Sequence, residues 1–119
     1  TLLANILSNN RWYPYLAMLI IGGVDKTGPH IYSTDPVGGV EQEDKFTATG
    51  SGSPFAYGVL EDSYKDGMTK DEAVRLAVRA IRAAKERDIG SGGLWIDVAV
   101  IDKSGTEFID REKIKEIGK

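Results

Sequence analysis

Two predicted helices in the middle of the chain separate two groups of strand patterns, and this order limits the fold more than any other feature. The apolar and alternating stretches that predict strands cover residues 15–23, 30–34, 40–49, 94–101 and 106–109. Segregated runs of strands and helices are typical of an α+β fold with an antiparallel sheet covered by helices, and they argue against a parallel βαβ fold. The first strand pattern is continuously apolar, so we expect it to be buried on both faces.

The two central helices carry recognisable start signals. Ser53 followed by Pro54 predicts an N-cap and the first helical position, and Thr69 with Glu72 has the spacing of a capping box. Two further helical patterns cover residues 2–7 and 111–117. The longer central helix has an alanine stripe that predicts close packing against a neighbour, formed by Ala73, Ala77, Ala80 and Ala84.

Composition places the chain among ordinary soluble domains. Its 119 residues fall in the single-domain range, with 41% hydrophobic and 28% charged residues, so we expect one core. The net charge of −3 and the dispersed basic residues argue against a nucleic-acid partner. There are no cysteines, no targeting signal is recognisable, and the longest apolar run is too short to cross a bilayer. We therefore expect a soluble, cytoplasmic protein without a membrane partner.

The single histidine, His30, argues against two common kinds of site. Zinc sites need several nitrogen or sulfur ligands, which one histidine and no cysteine cannot supply. A Ser-His-Asp enzyme needs an oriented histidine base, and no nucleophile-elbow pattern surrounds His30. Residues 50–54 are similar to a phosphate-binding loop but lack the Lys-Ser/Thr that follows in a P-loop. We interpret His30 as structural and expect no metal site.

Two glycine-serine turns, at residues 50–55 and 87–93, bracket the central helices and carry Ser51, Asp88 and Ser91. Each turn by itself could be ordinary loop punctuation. An N-terminal threonine can act as a nucleophile with its own amino group as base, and such a site needs hydroxyls and a carboxylate nearby. These three residues have the right chemistry for that support, although spacing alone does not show that they converge.

Several segments of the chain resemble archaeal proteasome β subunits. The resemblance covers all 119 residues and is carried, in order and at matching separations, by residues 21–25, 33–39, 46–60, 80–93 and 96–101. It implies a four-layer αββα sandwich of the N-terminal-nucleophile hydrolases. Residues 1–119 would be the incomplete C-terminal part of this single domain. It also implies a threonine endopeptidase that hydrolyses unfolded polypeptides, in a heptameric ring of β subunits stacked on proteasome α subunits.

The same resemblance implies roles for individual residues. Ser51 and Ser91 would hydrogen-bond the amino group of the catalytic threonine or a bound water, and Asp88 would orient them. Asp35 would lie in the substrate pocket of a neighbouring subunit. No cofactor is implied, and the cation that turn carbonyls near Ile89 and Ser91 hold in some relatives is not part of this expectation.

The family's catalytic threonine and its aspartate, lysine and oxyanion-hole glycine would all lie upstream of this sequence. Thr1 is followed by a helical pattern that resembles the family's second long helix, so we do not expect it to be the nucleophile. The chain alone is therefore expected to be inactive. Residues 16–21 and 94–101 would also lose part of their cover, which favours association. The alternative is a non-catalytic structural ring subunit or assembly fragment.

Overall fold

The computed structural model describes residues 19–35 and 39–117, which divide into two units at Thr49 and Gly50. Each unit is described by itself. The helical pattern at residues 2–7, Thr1, and the first part of the first predicted strand lie outside the described residues.

The first unit contains a three-stranded antiparallel sheet in the order β1-β2-β3. Its strands are β1 (Ile20–Asp25), β2 (Gly28–Thr34) and β3 (Val40–Glu43). The pairing is that of the predicted meander, with Gly23 opposite His30 and Thr34 opposite Val40.

Two expectations for this sheet are wrong. The third strand ends at Glu43 instead of residue 49, because the chain bends at the adjacent charged residues Asp44 and Lys45, which are poor strand formers. The first strand is not buried on both faces, since the side chains of Ile20 and Ile21 are 40% and 47% exposed. Within the described part of the first unit, β2 pairs with one edge of β1, and no second layer of helices or strands packs on the faces of β1.

The second unit contains three helices and a hairpin. The helices are α1 (Ser53–Ser63), α2 (Lys70–Arg87) and α3 (Arg111–Glu116), and the hairpin pairs β4 (Ala99–Asp102) with β5 (Gly105–Phe108). Helices together with antiparallel strands confirm the α+β prediction. No helix in the described ranges is long and apolar enough to cross a bilayer.

The start signals of the helices are confirmed for α2 and shifted for α1. The Thr69 hydroxyl accepts the Glu72 amide at 3.2 Å, and the Glu72 carboxylate accepts the Thr69 amide at 3.4 Å, which completes the capping box. The N-cap of α1 is Gly52, not Ser53, because the Gly52 carbonyl already accepts the amide of Ala56 at the start of the helix.

Helix α2 is buried on two sides. Val74 and Val78 pack with Ile114 of α3 in a small apolar core. Ala84 lies on the other side, where a β-carbon placed on Gly52 would be only 2.8 Å from its β-carbon. The predicted close approach is therefore present at Ala84, with Ala80 buried one turn before it, whereas the stripe residues Ala73 and Ala77 are exposed.

The strand predicted over residues 94–101 is shorter in the structure and begins at Ala99. A strand extends only as far as its partner, and β5 has four residues before the chain turns into α3. One further backbone bond, from the Ile109 amide to the Val98 carbonyl at 2.9 Å, ends the pairing.

Both hairpins turn by the same chemistry. In each, an aspartate carboxylate accepts the backbone amide two residues later. The Asp25 carboxylate accepts the Thr27 amide at 2.8 Å, and the Asp102 carboxylate accepts the Ser104 amide at 2.7 Å. The next residue is a glycine with a φ of 117° at Gly28 and 125° at Gly105, in the left-handed region.

Candidate active site

The start of α1 and the end of α2 bring the two glycine-serine turns together. Ser51 lies just before α1, Asp88 is the C-cap of α2, and Ser91 follows in the next turn. Since α1 and α2 pack side by side and run in opposite directions, residues that are far apart in sequence meet at one end of the helix pair.

The Asp88 carboxylate is the centre of this cluster. The Ser51 hydroxyl donates to Oδ2 of Asp88 at 2.6 Å, and the Ser91 hydroxyl donates to the same oxygen at 2.7 Å. The Ser91 amide also donates to the Asp88 carbonyl at 3.2 Å, which closes the turn. Ser51 is exposed, while Asp88 and Ser91 are half-buried.

These hydrogen bonds stabilise the charged form of the carboxylate. The Ser51 hydroxyl is the largest cause that lowers the pKa of Asp88, followed by the Ser91 hydroxyl, and the Gly90 amide adds to them while partial burial opposes them. Asp88 therefore remains ionised around neutral pH and is a poor general base.

This geometry suits a supporting role better than a nucleophilic one. A serine becomes a nucleophile when a base takes its proton, and a carboxylate of lowered pKa is too weak for that task. Because both hydroxyls donate their protons to Asp88, their oxygen lone pairs are available to accept further hydrogen bonds. The cluster can therefore hold an amine, an ammonium group or a water.

The start of α1 offers few donors to an anion. The Ser53 amide donates to the Gly50 carbonyl at 3.1 Å, the Phe55 amide donates to the Gly52 carbonyl at 3.1 Å, and Pro54 has no amide proton. A phosphate loop needs amides that point outward and are unpaired. The structure thus favours the turn interpretation of residues 50–54.

Asp35, the other predicted site residue, lies in the first unit directly after β2 and is hydrogen-bonded to Gly39. Its carboxylate accepts the Gly39 amide at 2.9 Å, and its own amide donates to the Gly39 carbonyl at 3.0 Å. The side chain is exposed and belongs to a different unit from the cluster around Asp88.

His30 braces the first hairpin, which agrees with a structural role. Its Nε2 contacts the Thr27 hydroxyl at 2.7 Å and the Asp25 carboxylate at 3.1 Å, and the Gln42 amide donates to Nδ1 at 3.2 Å. A ring that accepts at Nδ1 carries its proton on Nε2, so Nε2 cannot take a proton from the Thr27 hydroxyl.

Comparison with known proteins identifies the family of this chain. The family described as "Proteasome subunit" matches residues 1–101. The chain belongs to the proteasome subunit family.

Curated relatives named "Proteasome subunit beta" agree with this assignment and confirm the predicted resemblance. Those from Methanoregula boonei and Archaeoglobus profundus are each 53% identical, over 116 and 117 residues, and one from Methanosarcina thermophila is 54% identical over 115 residues. The matches cover 97–98% of this chain and 54% of each relative. The chain thus spans about half the length of the curated relatives it matches.

The structure contains a hollow around Trp95 that the sequence of this proteasome-family chain does not predict. Lys115 Nζ and the Arg111 guanidinium lie 4.4 Å and 5.4 Å from the ring centre of Trp95, and Arg82 lines the same hollow. Three separate elements contribute these residues, so no local motif reveals the hollow. Arg82 donates to the Ile114 carbonyl at 2.8 Å and Arg111 pairs with Asp97 at 2.7 Å, so these cations serve to hold α3 in place.

Within residues 19–35 and 39–117, acidic side chains and His30 form no group of three or more that could hold a metal ion.

Proposed function

We propose that this chain is part of a threonine-type endopeptidase subunit of the proteasome core particle, which hydrolyses peptide bonds of unfolded proteins in the cytoplasm. Its complete fold would be the four-layer αββα sandwich, and its partners would be proteasome α subunits and further β subunits in a heptameric ring. Membership of the proteasome subunit family supports the proposal, and the cluster of Ser51, Asp88 and Ser91 is the observation that carries it.

In this proposal the cluster supports a threonine nucleophile that lies outside these 119 residues. The Ser51 and Ser91 oxygens, whose protons point at Asp88, would accept hydrogen bonds from the α-amino group of that threonine or from a water beside it. An α-amino group titrates near pH 8, so a held amine can take the proton of the threonine hydroxyl as that oxygen attacks a peptide carbonyl. Asp88, ionised and fixed by two hydroxyls, would keep the amine in place.

Asp35 would contribute to the substrate pocket of a neighbouring subunit. Its carboxylate is exposed and accepts the Gly39 amide, which fixes its position directly after β2. The site would then be completed only in the ring.

A chimera tests the proposal. This chain replaces the matching segment of the Methanoregula boonei relative, and the chimera is assembled with proteasome α subunits and assayed with a fluorogenic peptide. We expect turnover that a threonine-directed covalent inhibitor abolishes. The 119-residue chain alone, assayed in parallel, should be inactive because it lacks the nucleophile, the lysine and the oxyanion hole. Inhibitor-sensitive turnover by the chain alone, or an assembled chimera without turnover, would contradict the proposal.

A non-catalytic assembly role is the second candidate, and the apolar surface of the second unit favours it. Ile89, Leu94 and Phe108 are 104%, 88% and 79% exposed, which is unusual for large apolar side chains and typical of surfaces that other polypeptides cover. The same chimera separates the two candidates, since a purely structural subunit would assemble without hydrolysing the peptide.

A further inference from the structure

Five glycines lie in the two turns that carry the Asp88 cluster, and four of them are required for two different reasons. Gly50 and Gly93 have φ angles of 98° and 97°, in the region that disfavours other residues, while a β-carbon at either would meet open space. Gly52 and Gly90 have no positive φ, so their backbone conformations suit other residues. What they lack is room for a side chain.

The space at Gly90 is filled by the Ser51 hydroxyl. A β-carbon placed on Gly90 would lie 2.6 Å from Oγ of Ser51 and 3.4 Å from Oδ2 of Asp88. A distance of 3.4–4 Å is an ordinary contact, so the Asp88 oxygen would be tolerated, whereas Ser51 Oγ at 2.6 Å would have to move. The Asp88 carboxylate already holds Ser51 Oγ at 2.6 Å, and rotation of Ser51 about χ1 away from Gly90 would break that bond.

The space at Gly52 is likewise filled by the hydroxyl of the other serine, Ser91. A β-carbon there would lie 2.6 Å from Oγ of Ser91 and 2.8 Å from the β-carbon of Ala84. Each serine of the cluster therefore lies against a glycine of the opposite turn, Ser51 against Gly90 and Ser91 against Gly52.

We propose that Gly90 is a positioning residue for the peptidase site: its missing side chain is what allows the Ser51 hydroxyl to reach Asp88 across the two turns. The importance of this for catalysis rests on the proposed function, whereas the geometric claim does not. Gly90 also donates its amide to the Asp88 carboxylate, and alanine would keep that amide. Substitution with alanine therefore tests the space alone.

The geometric claim is tested on the 119-residue chain by a double-mutant cycle. The variants are Gly90→Ala, Ser51→Ala and the double variant, and the readout is the Asp88 titration followed by NMR. We expect Gly90→Ala to raise the pKa of Asp88 toward its ordinary value, as Ser51→Ala does, and the double variant to match Ser51→Ala. Gly92→Ala is the control, because a β-carbon there meets nothing within 4 Å and its φ is not positive.

An unchanged Asp88 titration in Gly90→Ala, or a double variant whose shift is the sum of the two single shifts, would overturn the inference. If Gly90→Ala unfolds the chain, thermal unfolding supplies the second readout. Ser51→Ala removes the clashing oxygen and leaves its own β-carbon at an acceptable 3.5 Å, so it should rescue folding of Gly90→Ala. Failure of that rescue would also overturn the inference.

The consequence for catalysis is tested in the chimera. A displaced positioning group costs on the order of 100-fold in rate, so Gly90→Ala should lower kcat by about that factor with KM nearly unchanged, while Gly92→Ala retains kcat. Equal kcat values for Gly90→Ala and the unchanged chimera would contradict a positioning role. A chimera with no activity at all would refute the proposed function and leave the Asp88 titration result standing.

Discussion

Two glycines of the first central helix should respond in opposite directions to the same substitution. Gly52 is the buried N-cap of α1, and a β-carbon there would lie 2.8 Å from the β-carbon of Ala84 on α2. Carbon atoms in contact are about 3.5–4.0 Å apart, so the overlap is close to 1 Å, and overpacking of this kind costs about 1–3 kcal/mol. Gly58 lies exposed in the same helix with nothing within 4 Å, so alanine there should stabilise the helix by about 0.5–1 kcal/mol.

The assay is urea unfolding of the two variants followed by far-UV circular dichroism. The free energies of unfolding should differ by about 1.5–4 kcal/mol, with Gly52→Ala below and Gly58→Ala above the unchanged chain. Glycine is also a better N-cap than alanine, so a cycle with Ala84→Gly is needed to separate packing from capping. Ala84→Gly relieves the carbon overlap and should offset part of the loss in Gly52→Ala. A coupling energy of zero between Gly52→Ala and Ala84→Gly would refute the close packing of α1 on α2. Stabilisation by Gly52→Ala as well as by Gly58→Ala would refute it too.

Four further outcomes are expected. Thr69→Ala removes the side-chain half of the capping box and should cost about 1 kcal/mol, measured as a lower midpoint of thermal unfolding. Ile114→Ala empties the core against Val78 and should cost about 2–5 kcal/mol in urea unfolding. The pKa of Asp88 is lower in the folded state than its ordinary value of 3.8. The contribution of this carboxylate to the free energy of unfolding is therefore fully present above that ordinary value and is lost as the pH falls through the folded-state pKa. Asp88→Asn should therefore flatten this acidic limb of the stability profile. The chain alone should associate through its exposed apolar side chains, and a monodisperse monomer at high concentration in sedimentation velocity would contradict this.

Features that depend on a few neighbouring residues could be predicted from the sequence. The capping box of α2 needs only Thr69 and Glu72, three positions apart, and the structure has both of its hydrogen bonds. The start of the strand predicted over residues 94–101, which lies at Ala99 in the structure, could not be predicted in this way. The length of this strand depends on how many residues of β5 remain to pair with it, and that is set by where α3 begins.

Burial was harder to predict than helix position. The alanine stripe of α2 predicts one contact face, but Ala73 and Ala77 are exposed, whereas Ala80 and Ala84 are buried and Ala84 lies close to Gly52. Helix α2 instead buries Val74 and Val78 against Ile114 on its other side. Helical periodicity shows which residues share a face, and the partner of that face comes from residues distant in sequence.

The candidate site combines both kinds of information. Asp88 and Ser91 are three residues apart and meet within one turn, so local chemistry suffices to pair them. Ser51 is 37 residues from Asp88 and reaches it only because α1 and α2 form a hairpin. The resemblance to archaeal proteasome β subunits implies the grouping of the three residues, whereas the lack of space at Gly52 and Gly90 depends on contacts between residues distant in sequence.

The most direct test of the proposed site is the hydrolysis of a fluorogenic peptide by the assembled chimera with Asp88→Asn. The variant keeps the size of the side chain and removes the charge that holds the Ser51 and Ser91 hydroxyls. Asp71→Asn, an exposed carboxylate in the first turn of α2, is the matched control. We expect Asp88→Asn to lower kcat on the order of 100-fold while Asp71→Asn leaves it unchanged. An Asp88→Asn chimera that hydrolyses the peptide at the unchanged rate would contradict a supporting role for this cluster.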